Sequence, residues 1–389
     1  MILSSGFAYA LRPLRLRCDR ERNNLKRVAI IGAAGYVGLE LARLLHNVDF
    51  EVIGVTRENG KFLLRNSGFN IVAPQDIRSV GTVDVVVNLA YPSSGPPQHF
   101  PTKNREILDQ IKTVMAPASR LIHVSTQAVF GYGLDRPVIA GPVKMVPDYA
   151  YIEAKIELEN LLLRQFPSQS LQIVRLGNVW GPGSGAWTVP LANKILFSEP
   201  VGVEGFDGFC NATDVANAAS YLSFLISMDE LRGHHFYHLA EMSSYRWSAW
   251  VERIEKALGQ KSVRLPDLPV DPSNLKSEIR EALSPVMPGP LYRNLVWGRV
   301  TGSRLRGLLR GVGDQRFDKV KQLSSKQLTY GYTPMPAEKT FLHIMGCQKQ
   351  FETSVLGQWH PPVGFEQSWS MVEAWMSTAG YSISRRDKC

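Results

Sequence analysis

From Lys26 onward, apolar and polar positions follow two rhythms. Short apolar runs of strand length, "RVAII", "FEVIGVT", "FNIV", "VDVVVNLA", "RLIHVS" and "LQIVRL", alternate with stretches whose apolar residues recur at helical spacing, as in "YVGLELARLLHN" and around 102–115 and 149–165. Several of the runs are apolar at every position, the pattern of strands covered on both faces. Strands alternating with helices predict an α/β fold built on a doubly wound parallel sheet of the Rossmann kind. After Trp180 the regularity drops: helical stretches at 188–198, 212–228 and 245–258 alternate with short strands such as "HFYHLA", and a proline-rich passage runs from Pro266 to Pro290. The expected organisation is a disordered or targeting-like extension over 1–24, a dinucleotide-binding domain over 25–180, and a smaller C-terminal, substrate-binding domain over 181–389. Whether that last region returns elements to the sheet stays open. An amphipathic helix is expected near the C-terminus, within 359–381.

Composition adds limits. With 389 residues, 44% hydrophobic and 20% charged, the chain can bury a full core, and no run reaches the ~18–20 apolar residues of a membrane span. The net charge of +9 is confined to two places. Residues 1–27 carry seven Lys/Arg against Asp19 and Glu21, and residues 291–310 carry five Arg and no acid. The body between them is nearly neutral, so no nucleic-acid-binding face is expected. The 291–310 stripe, basic with apolar interleaving, is a solvated connecting segment or a peripheral contact to an anionic membrane. Cys18, Cys210, Cys347 and Cys389 form no C-x-x-C pair, which fits a reducing cytoplasm and neither a zinc ribbon nor a disulfide framework. Alternation on a strand points His234 and His238 to one side and His235 to the other, so no metal site is expected there.

Chemistry concentrates at three places. Gly32, Gly35 and Gly38 lie between a strand and a helix, where backbone amides and the helix dipole can receive a pyrophosphate. The second strand closes on Thr56 and Arg57; an acid there would hold the ribose hydroxyls of NAD, whereas Arg57 can pair with the 2'-phosphate of NADP. The cofactor expected is therefore NAD or NADP, with the balance toward NADP. Asp76 can meet the adenine, and the fourth strand ends with Asn88 and Ala90 where a cofactor would pass. Finally, Tyr151 and Lys155 stand four apart in a helical segment, on one face and one turn apart. The ammonium is expected to draw the phenol's pKa down toward working pH and make it a general acid or base.

The order GAAGYVG, NLA, VSTQAVFG, Tyr-x-x-x-Lys and RLGNVWGPG resembles the extended short-chain dehydrogenase/reductase family, in its NAD(P)-dependent epimerase/dehydratase branch, over about residues 26–260. The resemblance implies Thr126, Tyr151 and Lys155 as catalytic residues. It implies Gly32, Gly35, Tyr36, Val37, Gly38, Arg57, Asp76, Ile77, Leu89, Ala90, Tyr151 and Lys155 around the cofactor. It implies Ser125, Thr126, Gln127 and Asn178 around a small-molecule substrate. The activity implied is epimerisation or ketone reduction at a secondary alcohol, foremost on a nucleotide sugar. A homodimer is compatible with it.

Departures from the family pattern narrow this. Sugar dehydratases of the branch follow the threonine with Asp-Glu, where Gln127 and Ala128 stand here, so water elimination is disfavoured. Nucleotide-sugar members often carry an Arg seven residues before the acid of "DVA"; here Asp207 precedes Asp214, leaving Arg299, Arg304 or Arg306 as candidate grips for a diphosphate. Asp207 and the basic stripe keep a hydroxysteroid or lipid-ketone dehydrogenase open. A cofactor sensor or scaffold without turnover is the reading from another class.

Overall fold

A computed structural model describes residues 25–45, 50–65, 67–92, 99–131, 141–143, 150–205, 207–228, 231–266 and 344–381. The 1–24 extension, residues 267–290 of the proline-rich passage, the 291–310 stripe with Arg299, Arg304 and Arg306, and Cys18 and Cys389 lie outside the described residues.

The first part runs β1 (Lys26–Ile31), α1 (Tyr36–Leu45), β2 (Phe50–Val55), α2 (Glu58–Leu64), β3 (Asn70–Val72) and β4 (Val83–Asn88). It continues with α3 (Phe100–Val114), β5 (Met115–Thr126), α4 (Ala150–Gln165) and β6 (Ser170–Leu176). Beyond it come β7 (Asn178–Trp180), α5 (Thr188–Leu196), β8 (Pro200–Val203), β9 (Ala212–Asp214), α6 (Val215–Ser227) and β10 (His234–Leu239). The last described elements are α7 (Trp247–Leu258), β11 (Val263–Leu265) and α8 (Phe365–Thr378).

Seven strands form one sheet in the order β3-β2-β1-β4-β5-β6-β10, and every pairing in it is parallel. The sequence order reverses between β1 and β4, which opens a crevice outside the carboxyl ends of those strands. Register keeps these ends level: Ile31 pairs with Val55 and with Asn88, Asn88 with His123, and Thr126 with Leu176.

Both faces are covered, which accounts for the unbroken apolar runs. Val28, Ile30, Val85 and Val87 pack with Leu41 and Leu45 of α1 and with Leu222 and Leu225 of α6. Ala29, Ile31, Val86 and Leu121 point the other way, onto Ile107 and Ile111 of α3 and Leu158 and Leu162 of α4.

Residues 212–228 are not one helix. Ala212–Asp214 is a short strand beside β7, and α6 starts only at Val215, because the Asp214 side chain accepts the Ala216 amide at 2.7 Å and caps the helix. Both α6 and β10 come from beyond Trp180 yet belong to the sheet layers. A second core gathers Trp180, Leu191 and Ile195 of α5, Trp250 and Ile254 of α7, and Trp369 and Val372 of α8. The chain enters it again at Ile344 and Met345. The histidines of β10 have separate partners: His234 meets the Phe166 carbonyl at 2.8 Å, His235 the Arg232 carbonyl at 2.7 Å, and His238 stands 3.5 Å from Arg175.

Candidate active site

The glycine turn joins β1 to α1 at the crevice. Gly32 has φ +88, and a Cβ there would meet the Ala90 backbone nitrogen at 2.9 Å, so a side chain would close the gap between this turn and the end of β4. At Gly38 a Cβ would stand 2.4 Å from the Ala33 carbonyl oxygen, so its absence lets α1 pack on the turn. The first intrahelical bond is Leu39 to Gly35, at 2.8 Å. The amides of Tyr36, Val37 and Gly38 therefore belong to the helix's first turn, which has no intrahelical acceptors. A turn held open by missing side chains, with helix N–H groups aimed out of it, fits the pyrophosphate of a nicotinamide dinucleotide.

The other expected cofactor residues divide. Arg57 is exposed at the carboxyl end of β2 and precedes α2, and Asp76 is exposed in the 3-10 helix Pro74–Val80. Both can reach a ligand. Ile77 differs: its side chain is 4% exposed and packs in the core under the sheet, which leaves only its backbone for binding. Leu89 donates its amide to the Ile31 carbonyl at 2.8 Å and so ties β4 to β1. Tyr36 turns its hydroxyl to the Pro182 carbonyl at 3.1 Å, joining the glycine turn to the loop after β7.

Thr126 ends β5 and caps the 3-10 helix Gln127–Phe130, its Oγ1 accepting the Ala128 amide at 3.2 Å. Thr126 also lies near enough to Tyr151 for its hydroxyl to act on the phenol. Tyr151 is 40% exposed, and neighbouring atoms crowd its phenol enough to desolvate it. Burial pushes the phenol's pKa well above its ordinary value, Tyr91 adds to the rise, and Thr126 opposes it. The sequence-based expectation of a lowered phenol pKa is thus reversed in this structure, because desolvation outweighs every favourable interaction on the hydroxyl.

Lys155 is 3% exposed and donates from Nζ to the Val124 carbonyl at 3.0 Å, with the ammonium 4.5 Å from the centre of the Tyr91 ring. Burial lowers its pKa to about 8, and Glu159 works against that fall. Tyr91 also meets Tyr151 edge-on, at 5.5 Å between centroids.

Of the residues expected around a substrate, Ser125 Oγ and Gln127 Oε1 are buried and have no hydrogen-bond partner among the described residues. Gln127 Nε2 donates to the Glu352 carbonyl at 3.3 Å, which fixes the amide and leaves its oxygen as the acceptor. Asn178, two residues past Leu176, donates from Nδ2 to the Cys210 carbonyl at 2.7 Å. Asp207 is occupied elsewhere: it accepts the Ser248 amide at 3.0 Å and the Ser248 hydroxyl at 2.6 Å, at the start of α7.

Sequence reading did not single out Tyr91, His123 or Asn104. His123 meets Asn88 at 3.0 Å through Nδ1, and Asn88 accepts the Ala90 amide at 3.1 Å, so the pair shapes the crevice floor. Burial and the neighbouring Lys155 hold His123 well below the usual imidazole pKa. Asn104 donates to the Ala154 carbonyl at 2.9 Å and seats α4 against α3. The available signal was the histidine inside the otherwise apolar run "RLIHVS"; Asn104, between Lys103 and Arg105, gave none.

A model of the NAD dependent epimerase/dehydratase family matches residues 28–222, half of the chain. The chain belongs to this family. The family's stated NAD dependence agrees with the glycine turn, so the protein is an enzyme of the epimerase/dehydratase type with a nicotinamide dinucleotide as cofactor.

The fold is similar to that of UDP-glucuronic acid 4-epimerase from Bacillus cereus in complex with NAD, at TM-score 0.50 and 18% identity over 61% of this chain and 86% of that one. It is also similar to ADP-L-glycero-D-manno-heptose-6-epimerase from Helicobacter pylori, at TM-score 0.51 and 16% identity over 63% of this chain and 86% of that one. At such identities the likeness speaks for the fold. A search of curated proteins finds no match. Among the described residues no helix is long and apolar enough to cross a membrane.

Proposed function

We propose that this family member is an epimerase or ketoreductase acting on a secondary alcohol or ketone of a nucleotide sugar, with Tyr151 as its general acid/base. The observation that carries the reading is the convergence at the carboxyl end of β5 of Thr126, Tyr151 and the Lys155 ammonium, which donates to the Val124 carbonyl of that strand at 3.0 Å. The solved relatives of similar fold act on nucleotide-linked sugars.

Bound nicotinamide would take a hydride from the substrate carbon or give one to it. The chain's residues handle the proton. Tyr151, whose buried phenol keeps its proton at rest, donates it to the substrate oxygen in the reductive direction. In the oxidative direction the substrate hydroxyl proton passes to the phenolate. Thr126 holds the substrate oxygen beside the phenol, and the Lys155 charge favours the phenolate as the proton leaves. Ser125 Oγ, 4% exposed at the end of β5, is a buried polar atom whose bonding a substrate hydroxyl would complete. Gln127 and Ala128 provide neither the acid nor the base of water elimination.

A reductase using NADPH is the second reading, and the exposed Arg57 at the end of β2 favours it. The domain division at about residue 180, the cytoplasmic setting and a homodimer belong to the same proposal. Purified full-length protein decides between the readings. Tightly retained NAD together with interconversion of UDP-hexose epimers supports the epimerase; an empty site that accepts NADPH and reduces a ketone supports the reductase. Bound cofactor with no turnover of either kind would sink both.

A further inference from the structure

Below the catalytic face of α4 lies a charge pair that proton transfer does not use. Arg175 of β6 is wholly buried and meets Glu159 of α4 as a fork: Nε donates to Oε1 at 3.1 Å and Nη2 to Oε2 at 2.7 Å. Nη2 also donates to the Gly141 carbonyl at 2.7 Å, and the guanidinium lies 5.2 Å from the Phe130 ring centre and 4.9 Å from that of Phe236. Both charged side chains are out of water, at 0% and 1% exposure. Stability is a poor reason for such a pair, since well-packed apolar residues commonly do as well or better. Its position suggests another reason. Tyr151, Lys155 and Glu159 follow one another at four-residue steps, so they form one stripe along the helix. Against the Lys155 ammonium stand the Tyr91 ring after β4, His123 on β5 and Glu159 on α4; Tyr151 shares its face of α4, and Arg175 of β6 is held by Glu159. Of these, Glu159 carries the negative charge.

We propose that Glu159 is a positioning residue: its carboxylate, clamped by Arg175, keeps Lys155 in the ammonium form on the Val124 carbonyl, so that a positive charge stands one turn from Tyr151. The proposal rests on the roles given above to Tyr151 and Lys155. Burial and Glu159 pull the lysine in opposite directions, and the balance leaves it titrating at about 8. Without the carboxylate, burial acts unopposed and the lysine surrenders its proton at lower pH.

The test reads Lys155 directly. Full-length protein is made with 13Cε-labelled lysine, the Lys155 resonance is assigned by its loss in Lys155→Met, and its midpoint is followed by NMR against pH. In E159Q the midpoint is expected at least one pH unit below wild type, with E159D between the two. Because E159Q strands the Arg175 charge, E159Q/R175M, which removes the stranded guanidinium as well, is titrated beside it, and a lowered midpoint is expected there too. If E159Q and the double variant both fail to fold, E159D alone is read. A midpoint equal to wild type in the folded variants, with only thermal stability reduced, makes the pair structural and overturns the proposal. The alkaline limb of kcat should move down with the midpoint. Wild-type protein inactive on every nucleotide sugar would sink the functional reading while leaving the titration legible, so the two failures are told apart.

Discussion

At the residue scale, Tyr151 concentrates the argument. The four-residue spacing to Lys155 foretold a shared face, and the helix provides it; the spacing could not foretell that desolvation would dominate the phenol's pKa. Burial outweighs the opposing Thr126, and Tyr91, which meets the Tyr151 ring edge-on from beyond β4, adds to the rise. Replacing Tyr151 by Phe removes the transferable proton and little volume. The expected outcome is a loss of turnover of roughly 10²–10⁴-fold with cofactor affinity kept, checked by kcat and by NAD titration of the variant. Gly32→Ala acts in the opposite sense. At φ +88 a side chain is strained, and the added methyl meets the Ala90 nitrogen at 2.9 Å. Cofactor binding should fall at least tenfold, and the strain should cost about 1–2 kcal/mol of stability, measurable by denaturant unfolding.

At the element scale, the strands and helices of the sheet were legible because hydrophobic period is a local property. β1, β4 and β6 lie where apolar runs marked them, and α1 where the period changed from two to 3.6. The misreading at 212–228 arose where two elements share one apolar stretch; Asp214, a capping residue inside it, was the available signal. The Arg175 clamp was unreadable for another reason. Its partner is sixteen residues away on a different element, and only the anomaly of an arginine in "LQIVRL" hinted that a buried acid must exist. Asp207 makes the same point. Its departure from the family pattern drew attention as a missing phosphate grip, whereas its carboxylate holds the start of α7 through Ser248. Asp207→Ala should therefore lower stability by about 1–2 kcal/mol, seen as a lower Tm, and leave KM for substrate nearly unchanged. A large rise in KM with Tm intact would place Asp207 in the substrate site instead.

At the scale of the whole molecule, the two cores meet where the end of β10, the start of α6 and the C-terminal helix converge. Glu241 accepts the Asp214 amide at 2.7 Å and the Asn217 side chain at 2.8 Å. Asn217 in turn holds both backbone groups of Val363, and Ser368 of α8 donates to Asp214. Glu241 Oε2 is buried without a partner among the described residues, and burial pushes the carboxyl's pKa up from 4.5 to about 7. Between those two values the folded state binds more protons than the unfolded one. Stability from this group is therefore complete below pH 4.5 and is lost as pH rises through about 7. Lys155 has the opposite sign. Its pKa falls from 10.5 to about 8 on folding, so the unfolded state holds more protons in that window and stability climbs across it. The two groups together leave a trough at pH 7–8, the range in which the proposed chemistry needs a protonated lysine beside Tyr151. Glu241→Gln keeps an acceptor for Asp214 and Asn217 and removes the buried charge. It should raise stability at pH 8 by about 3 kcal/mol, change nothing near pH 4, and abolish this group's fall between pH 4.5 and 7 in denaturant unfolding curves. A variant less stable than wild type at pH 8 would mean that the ionised carboxylate supports this junction rather than straining it.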